Sequence, residues 1–217
     1  MDLQLSPRCH VANVGLDLVF LDARRGTYVC LAQGAALLSI GSDGRLVVND
    51  LAVRSKLHEA GLITAFDRSS SLAARRSPPD LPVHDAGSGH MARPSAFTDL
   101  LLAYASMMWR FRLRSFAAIV AQAEKMSDRQ AAGKVSPELL ADVEFFQKWL
   151  PWLPFQGECL FRCFMMLSFL QRRGHTAQWV FGVRTWPFAA HCWLQVGDTA
   201  LDDHSGRLGA YTPIMAI

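Results

Sequence analysis

The chain has 217 residues, 51% hydrophobic and 19% charged, with a mean hydropathy of +0.13. That composition excludes a disordered or low-complexity chain and suits one large domain or two small ones. The formal charge of +3, from 22 basic and 19 acidic residues spread along the chain, is too weak an excess to point to nucleic acid, so function must be read from local sites.

In chain order, residues 10–14 can form a strand. Residues 16–21 (LDLVFL) and 27–31 (TYVCL) are β-rich runs joined by the Gly-containing turn DARRG, a hairpin signal. Residues 35–40 look like a short helix. Residues 50–60 (DLAVRSKLHEA) set Leu51, Val53 and Leu57 near one helical face before Gly61 stops the helix, and LITAF closes the segment. Strands followed by short helices suggest a winged-helix-like module over 1–67. Residues 68–95 hold four of the ten prolines among Ser, Gly and Arg, without an apolar period, and read as a linker.

Residues 96–217 differ in kind. A long helix is predicted over 97–126. Ser136-Pro137 opens another, with Ser as N-cap and Pro at the first helical position, and Leu139, Leu140, Val143, Phe146 and Leu150 follow at helical spacing. After Pro151 and Pro154, Gly157-Glu158-Cys159 starts a third helix, apolar almost all round through Leu170, ending in Arg172, Arg173 and Gly174. Residues 177–183, 190–196 and 199–203 read as strands, the last two joined by Gly197-Asp198. Helices before an antiparallel sheet make this part α+β.

The five cysteines, Cys9, Cys30, Cys159, Cys163 and Cys192, cannot all pair and have no disulfide-framework spacing, which fits a reducing cytosol. The first twenty residues lack the pattern of a signal peptide. The longest apolar runs, 100–109 and 164–170, fall well short of the ~20 residues of a spanning helix.

Cys159 stands at a predicted helix start, where unpaired N–H groups and the positive end of the helix dipole predict a lowered thiol pKa. His191 follows on a strand and Asp202-Asp203 on its partner. The order supplies a thiol nucleophile, an imidazole to move its proton and a carboxylate to hold the ring. Each residue alone has a plainer use: Cys159 and Cys163 as core filler, His191 as a packed neutral ring, the aspartates as turn residues. Zinc is a competing use of Cys159, Cys163, His191 and Cys192, but adjacent strand residues point to opposite faces and share one ion poorly. No metal and no cofactor is expected.

The segments Gly157-Glu158-Cys159-Leu160-Phe161-Arg162, Leu170-Gln171-Arg172-Arg173-Gly174, Ala190-His191-Cys192-Trp193-Leu194-Gln195-Val196 and Leu201-Asp202-Asp203 resemble the lasso-peptide B proteins. The resemblance covers most of 97–217 and implies a transglutaminase/papain-like domain, helices packed on an antiparallel sheet, that cleaves the leader from a ribosomally made lasso precursor. By position it makes Cys159 the nucleophile, His191 the general acid/base and Asp203 the orienting carboxylate. Family members often have Ala where this chain has Cys192, and Asn where it has Asp202. An ideal two-residue turn at Gly197-Asp198 would put His191 on the face of Asp202, so Asp203 requires a shifted register.

Residues 1–67 are similar to the leader-recognition element of ribosomal peptide pathways, a winged module related to the pyrroloquinoline-quinone biosynthesis chaperone, through LVFLDARRGTYVCL and the helices ending in AGLI. The resemblance implies a leader docked as an added strand along Tyr28, Val29, Cys30 and Leu31, against Val53 and Leu57 of the following helix. Winged modules also bind DNA, but through Asp67 seven acidic residues face six basic ones, the wrong sign for phosphate. Together these resemblances imply a bacterial, cytoplasmic leader peptidase working with an asparagine-synthetase-like lasso cyclase, with no nucleic acid or membrane partner. The rivals are acyl transfer by the same residues and a non-catalytic peptide- or DNA-binding adaptor.

Overall fold

The computed structural model describes residues 3–41, 45–66, 79–87, 95–127, 135–154 and 158–217. Strand β1 (Leu3–Leu5) precedes an antiparallel meander of β2 (Cys9–Val14), β3 (Asp17–Asp22) and β4 (Thr27–Leu31). The β2–β3 reversal takes only Gly15-Leu16, with Gly15 at φ 64°, a left-handed conformation that glycine adopts without strain. All of β3 is buried. Because side chains alternate, its Leu18 and Phe20 enter a smaller core with Leu3, Leu38, Leu57 and Ile63, while Val19 and Leu21 enter a larger one with Phe164, Phe181 and Ile214. Strand β4 forms the sheet edge.

Next come α1 (Gly34–Leu37), β5 (Leu38–Ile40), β6 (Arg45–Val48), α2 (Leu51–Glu59) and β7 (Ile63–Ala65). The second sheet runs β5-β6-β1-β7. The Asp50 carboxylate caps α2, accepting the N–H groups of Ala52 at 2.7 Å and Val53 at 3.1 Å. The helix expected over 35–40 lasts one turn; Leu38 then enters the smaller core by strand pairing with Val48.

The C-terminal part contains β8 (His84–Asp85), α3 (Ala96–Leu113), α4 (Phe116–Ser127), α5 (Pro137–Trp149), α6 (Cys159–Arg172), β9 (Gln178–Arg184), β10 (Ala189–Val196), β11 (Thr199–Ala200), α7 (Ser205–Leu208) and β12 (Thr212–Ala216). Its sheet is ordered β12-β9-β10-β11-β8. Three expectations change here. The long helix is two, because Arg114 turns extended at φ −129° and ψ 147°, which sets Ile119, Val120 and Ala123 against the larger core on a new axis. Residues 84–85, within the expected linker, form a strand parallel to β11, while 67–78 and 88–94 lie outside the described residues. The strand expected over 199–203 stops at Ala200, because the Asp202 carboxylate takes the Leu194 N–H at 2.8 Å in place of a ladder carbonyl.

Helix α5 starts at the expected cap, Ser136 Oγ accepting the Leu139 N–H at 3.2 Å. Helix α6 packs against α3 and β10 and is buried at every position from 163 to 170, as its all-round apolar character requires. Among the described residues, no helix is long and apolar enough to cross a membrane.

Candidate active site

Cys159 is the first residue of α6, and the N-cap residue Glu158 makes no side-chain cap bond. His191 lies near the start of β10 and Asp203 just beyond β11. His191 Nε2 stands 2.7 Å from Asp203 Oδ2, with both side chains buried. The imidazole also interacts with the Cys159 thiol, which raises the His191 pKa and pulls that of the thiol down. The ring packs beside Trp193 and Tyr211, at centroid distances of 6.4 and 5.3 Å. Gly182 pairs with His191 across the ladder and leaves room for this packing: a Cβ there would stand 2.7 Å from the Trp193 ring.

The two aspartates divide. Burial alone would raise the Asp203 carboxyl, but the His204 N–H at 2.8 Å, His191, and Arg207 at 3.4 Å hold it below the usual carboxylate range. Asp202 turns away from His191, toward the Leu194 N–H and the Cys163 thiol, 3.0 Å from Oδ2, and its burial raises its pKa. Burial would lower His191, but its bonds to Cys159 and Asp203 outweigh that and raise it above its ordinary 6.5.

Cys159 departs from expectation. Its thiol is pushed up to about 12 rather than lowered, first by its hydrogen bond with the Cys192 thiol and then by burial, with the His191 bond pulling the other way. Cys192 Sγ lies 3.7 Å from Cys163 Sγ, and burial pushes Cys163 up to about 12 as well. The three thiols thus run from Cys159 through Cys192 to Cys163, with Cys159 the one that acts on the imidazole. Among the described residues, no group of three or more His, Cys, Asp or Glu side chains is placed to hold a metal ion.

Of the residues singled out for peptide docking, Val29 and Cys30 are exposed on β4, Leu31 and Val53 are half-buried against the smaller core, and Leu57, at 4% exposure, is part of that core. Tyr28 turns toward the larger core, its ring 5.9 Å from that of Phe188. A cavity of about 400 Å³ opens beside Asp203, lined among others by Arg162, Arg207 and Gln147. Sequence reasoning missed Trp193, Tyr211 and Gly182; only the aromatic character of the Cys192-Trp193 strand hinted at ring packing.

A thiol at a helix start, an imidazole on an adjoining strand and a carboxylate behind it can perform acyl transfer through a thioester. The chain belongs to the transglutaminase-like superfamily, whose family model matches residues 101–216, and that fold is usually one of cysteine proteases and acyltransferases. No curated protein and no solved structure matches the chain.

Proposed function

We propose that the protein is a cytoplasmic cysteine peptidase that removes the leader from a lasso-peptide precursor before an asparagine-synthetase-like cyclase closes the ring. The observation that carries this is the 2.7 Å His191–Asp203 contact, with Cys159 at the start of α6 acting on the same imidazole, in a superfamily whose fold is usually one of cysteine proteases and acyltransferases. The resemblance of residues 157–203 to lasso-peptide B proteins supplies the substrate class. In this reading Cys159 is the nucleophile, His191 the general base and acid, and Asp203 the group that fixes the ring tautomer.

With its thiol pushed up, Cys159 rests protonated. Neutral His191 therefore takes the proton as sulfur attacks the scissile carbonyl, instead of holding a preformed ion pair. The imidazolium, stabilised by Asp203, gives that proton to the departing amine. Water, deprotonated by His191, then cleaves the thioester.

Residues 1–67 serve as a winged-helix-like recognition element in this proposal, with the leader added to the free edge of β4 along Tyr28, Val29, Cys30 and Leu31, and Val53 and Leu57 supporting the docking face from behind. The acidic excess of this segment favours a peptide over DNA.

The test is incubation with the precursor encoded beside this gene, read by mass spectrometry. Leader and core whose masses sum to precursor plus water are expected from the intact protein, and no cleavage from Cys159→Ala, which should still bind precursor. An amine adduct in place of hydrolysis would assign acyl transfer, and cleavage by Cys159→Ala would overturn the proposal.

A further inference from the structure

We infer that the cavity beside Asp203 is a subsite for a carboxylate side chain of the peptide substrate, received by the guanidinium groups of Arg162 and Arg207. The inference rests on the peptidase reading and names a feature of its substrate, an acidic residue close to the scissile bond. The cavity, about 400 Å³, is walled by residues of α5 and α6 on the helical side and by residues 85–86 and 200–207 on the sheet side. Two of its walls lead straight to the reactive groups. Arg162 stands three residues after Cys159 on α6, about 4.5 Å along the helix axis. Asp203 holds His191 at 2.7 Å.

The walls carry three carboxylates, and every oxygen of the three already faces a donor. Asp85 accepts the Ser205 N–H at 2.6 Å and faces His204 at 3.4 Å, Asp202 serves the Leu194 N–H and Cys163, and Asp203 serves the His204 N–H and His191. The guanidinium groups are not satisfied in this way. Arg162 Nε is buried without an acceptor, its nearest carboxylate oxygen on Asp202 standing 3.8 Å away, and Arg207 reaches Asp203 only at 3.4 Å. Among the described residues neither group has another acceptor. The unused capacity of the cavity is therefore for an acceptor, and two positive charges favour an anionic one over a carbonyl. A carboxylate takes two N–H groups at once and matches the planar fork of a guanidinium. Phe146 and Leu150 offer apolar wall for the methylene stem of such a side chain.

The experiment titrates glutarate, and its uncharged diamide glutaramide, into the intact protein and into Arg162→Gln by calorimetry. Glutarate should bind saturably and glutaramide should not, and Arg162→Gln should weaken glutarate by about tenfold or more. Arg207→Gln, which alters the same cavity from α7, gives the same readout should Arg162→Gln not fold. In parallel, each Asp and Glu of the precursor is replaced singly by Asn or Gln. One such replacement should lower kcat/KM about 10- to 100-fold with the intact protein and by less than about threefold with Arg162→Gln, because the partner is already gone. Equal binding of both probes, glutarate binding indifferent to either variant, or a precursor indifferent to all its acidic residues would overturn the subsite. A precursor that the intact protein does not cleave would overturn the peptidase reading, while glutarate binding lost in Arg162→Gln would still establish the carboxylate site.

Discussion

Trp186 Nε1 donates a 2.6 Å hydrogen bond to Asp17 Oδ2, tying the turn between β9 and β10 to the first residue of β3. The other oxygen of the same carboxylate accepts the Gln33 N–H at 2.9 Å. One side chain thus links the hairpin that carries His191 to the meander that carries Tyr28. The Gln33 N–H, followed by the Trp186 bond, holds Asp17 below the usual carboxylate range.

Trp186→Phe should therefore lower the thermal midpoint at pH 7. A depressed carboxyl contributes stability above its unfolded pKa and loses it as pH falls through the folded one. Melting curves of the two proteins should separate at neutral pH and converge below about pH 4. A constant gap across pH would mean that ring packing, not the carboxylate bond, holds the turn.

Asp203→Ala and Asp202→Asn should part company. Loss of Asp203 removes the partner of His191 Nε2 and should reduce kcat by about 10²- to 10⁴-fold. Asp202 instead serves the Leu194 N–H and Cys163, so its replacement by Asn should act on the thermal midpoint, with kcat changed by less than about tenfold. Steady-state rates beside melting curves check both, and equal losses of kcat would contradict the division.

The acid limb of the rate profile follows His191, which must be neutral to accept the thiol proton. Since Cys159 and Asp203 raise it, kcat/KM should climb with pH through a midpoint above about 6.5. It should then hold a plateau to about pH 9, because Cys159 keeps its proton there. Asp203→Asn removes one of the raising causes, so its residual activity should show the midpoint at lower pH.

Cys192 is the first cause of the raised Cys159 pKa. Cys192→Ala should lower that pKa and speed alkylation of Cys159 by iodoacetamide at pH 7 to 8, followed by peptide mapping. Exposed Cys30 should label before Cys159 in the unaltered protein and react equally in both. An unchanged Cys159 rate would assign the raised pKa to burial alone.

The strands β3 and β10 and the helix α6 were legible because their nearly continuous apolar patterns match their burial, whereas β4 was legible as a β-rich run although Val29 and Cys30 are exposed. The break at Arg114 was not, since the apolar stripe continues on both sides of it and only the direction of the axis changes. Residues 84–85 carry no apolar signal, and β12 pairs with β9 through a Pro-containing segment whose register shifts after Pro213. The choice between Asp202 and Asp203 turned on where a strand ends, and a side chain replacing a ladder acceptor leaves no trace in alternation. The electrostatics of Cys159 depend on Cys192, far along the chain, and only folding reveals that neighbour.

Strand β3, buried on both faces, is a party wall between two cores. Its amides lie in the middle of a three-stranded ladder, with Leu18 and Phe20 sealed on one side and Val19 and Leu21 on the other. Solvent reaches them only through an opening that breaches the wall itself, so neither fraying of α2 nor loosening of the β9–β10 turn suffices. The slowest hydrogen exchange in the N-terminal part therefore belongs to β3, and protection there reports on the integrity of the larger core as much as on its own sheet.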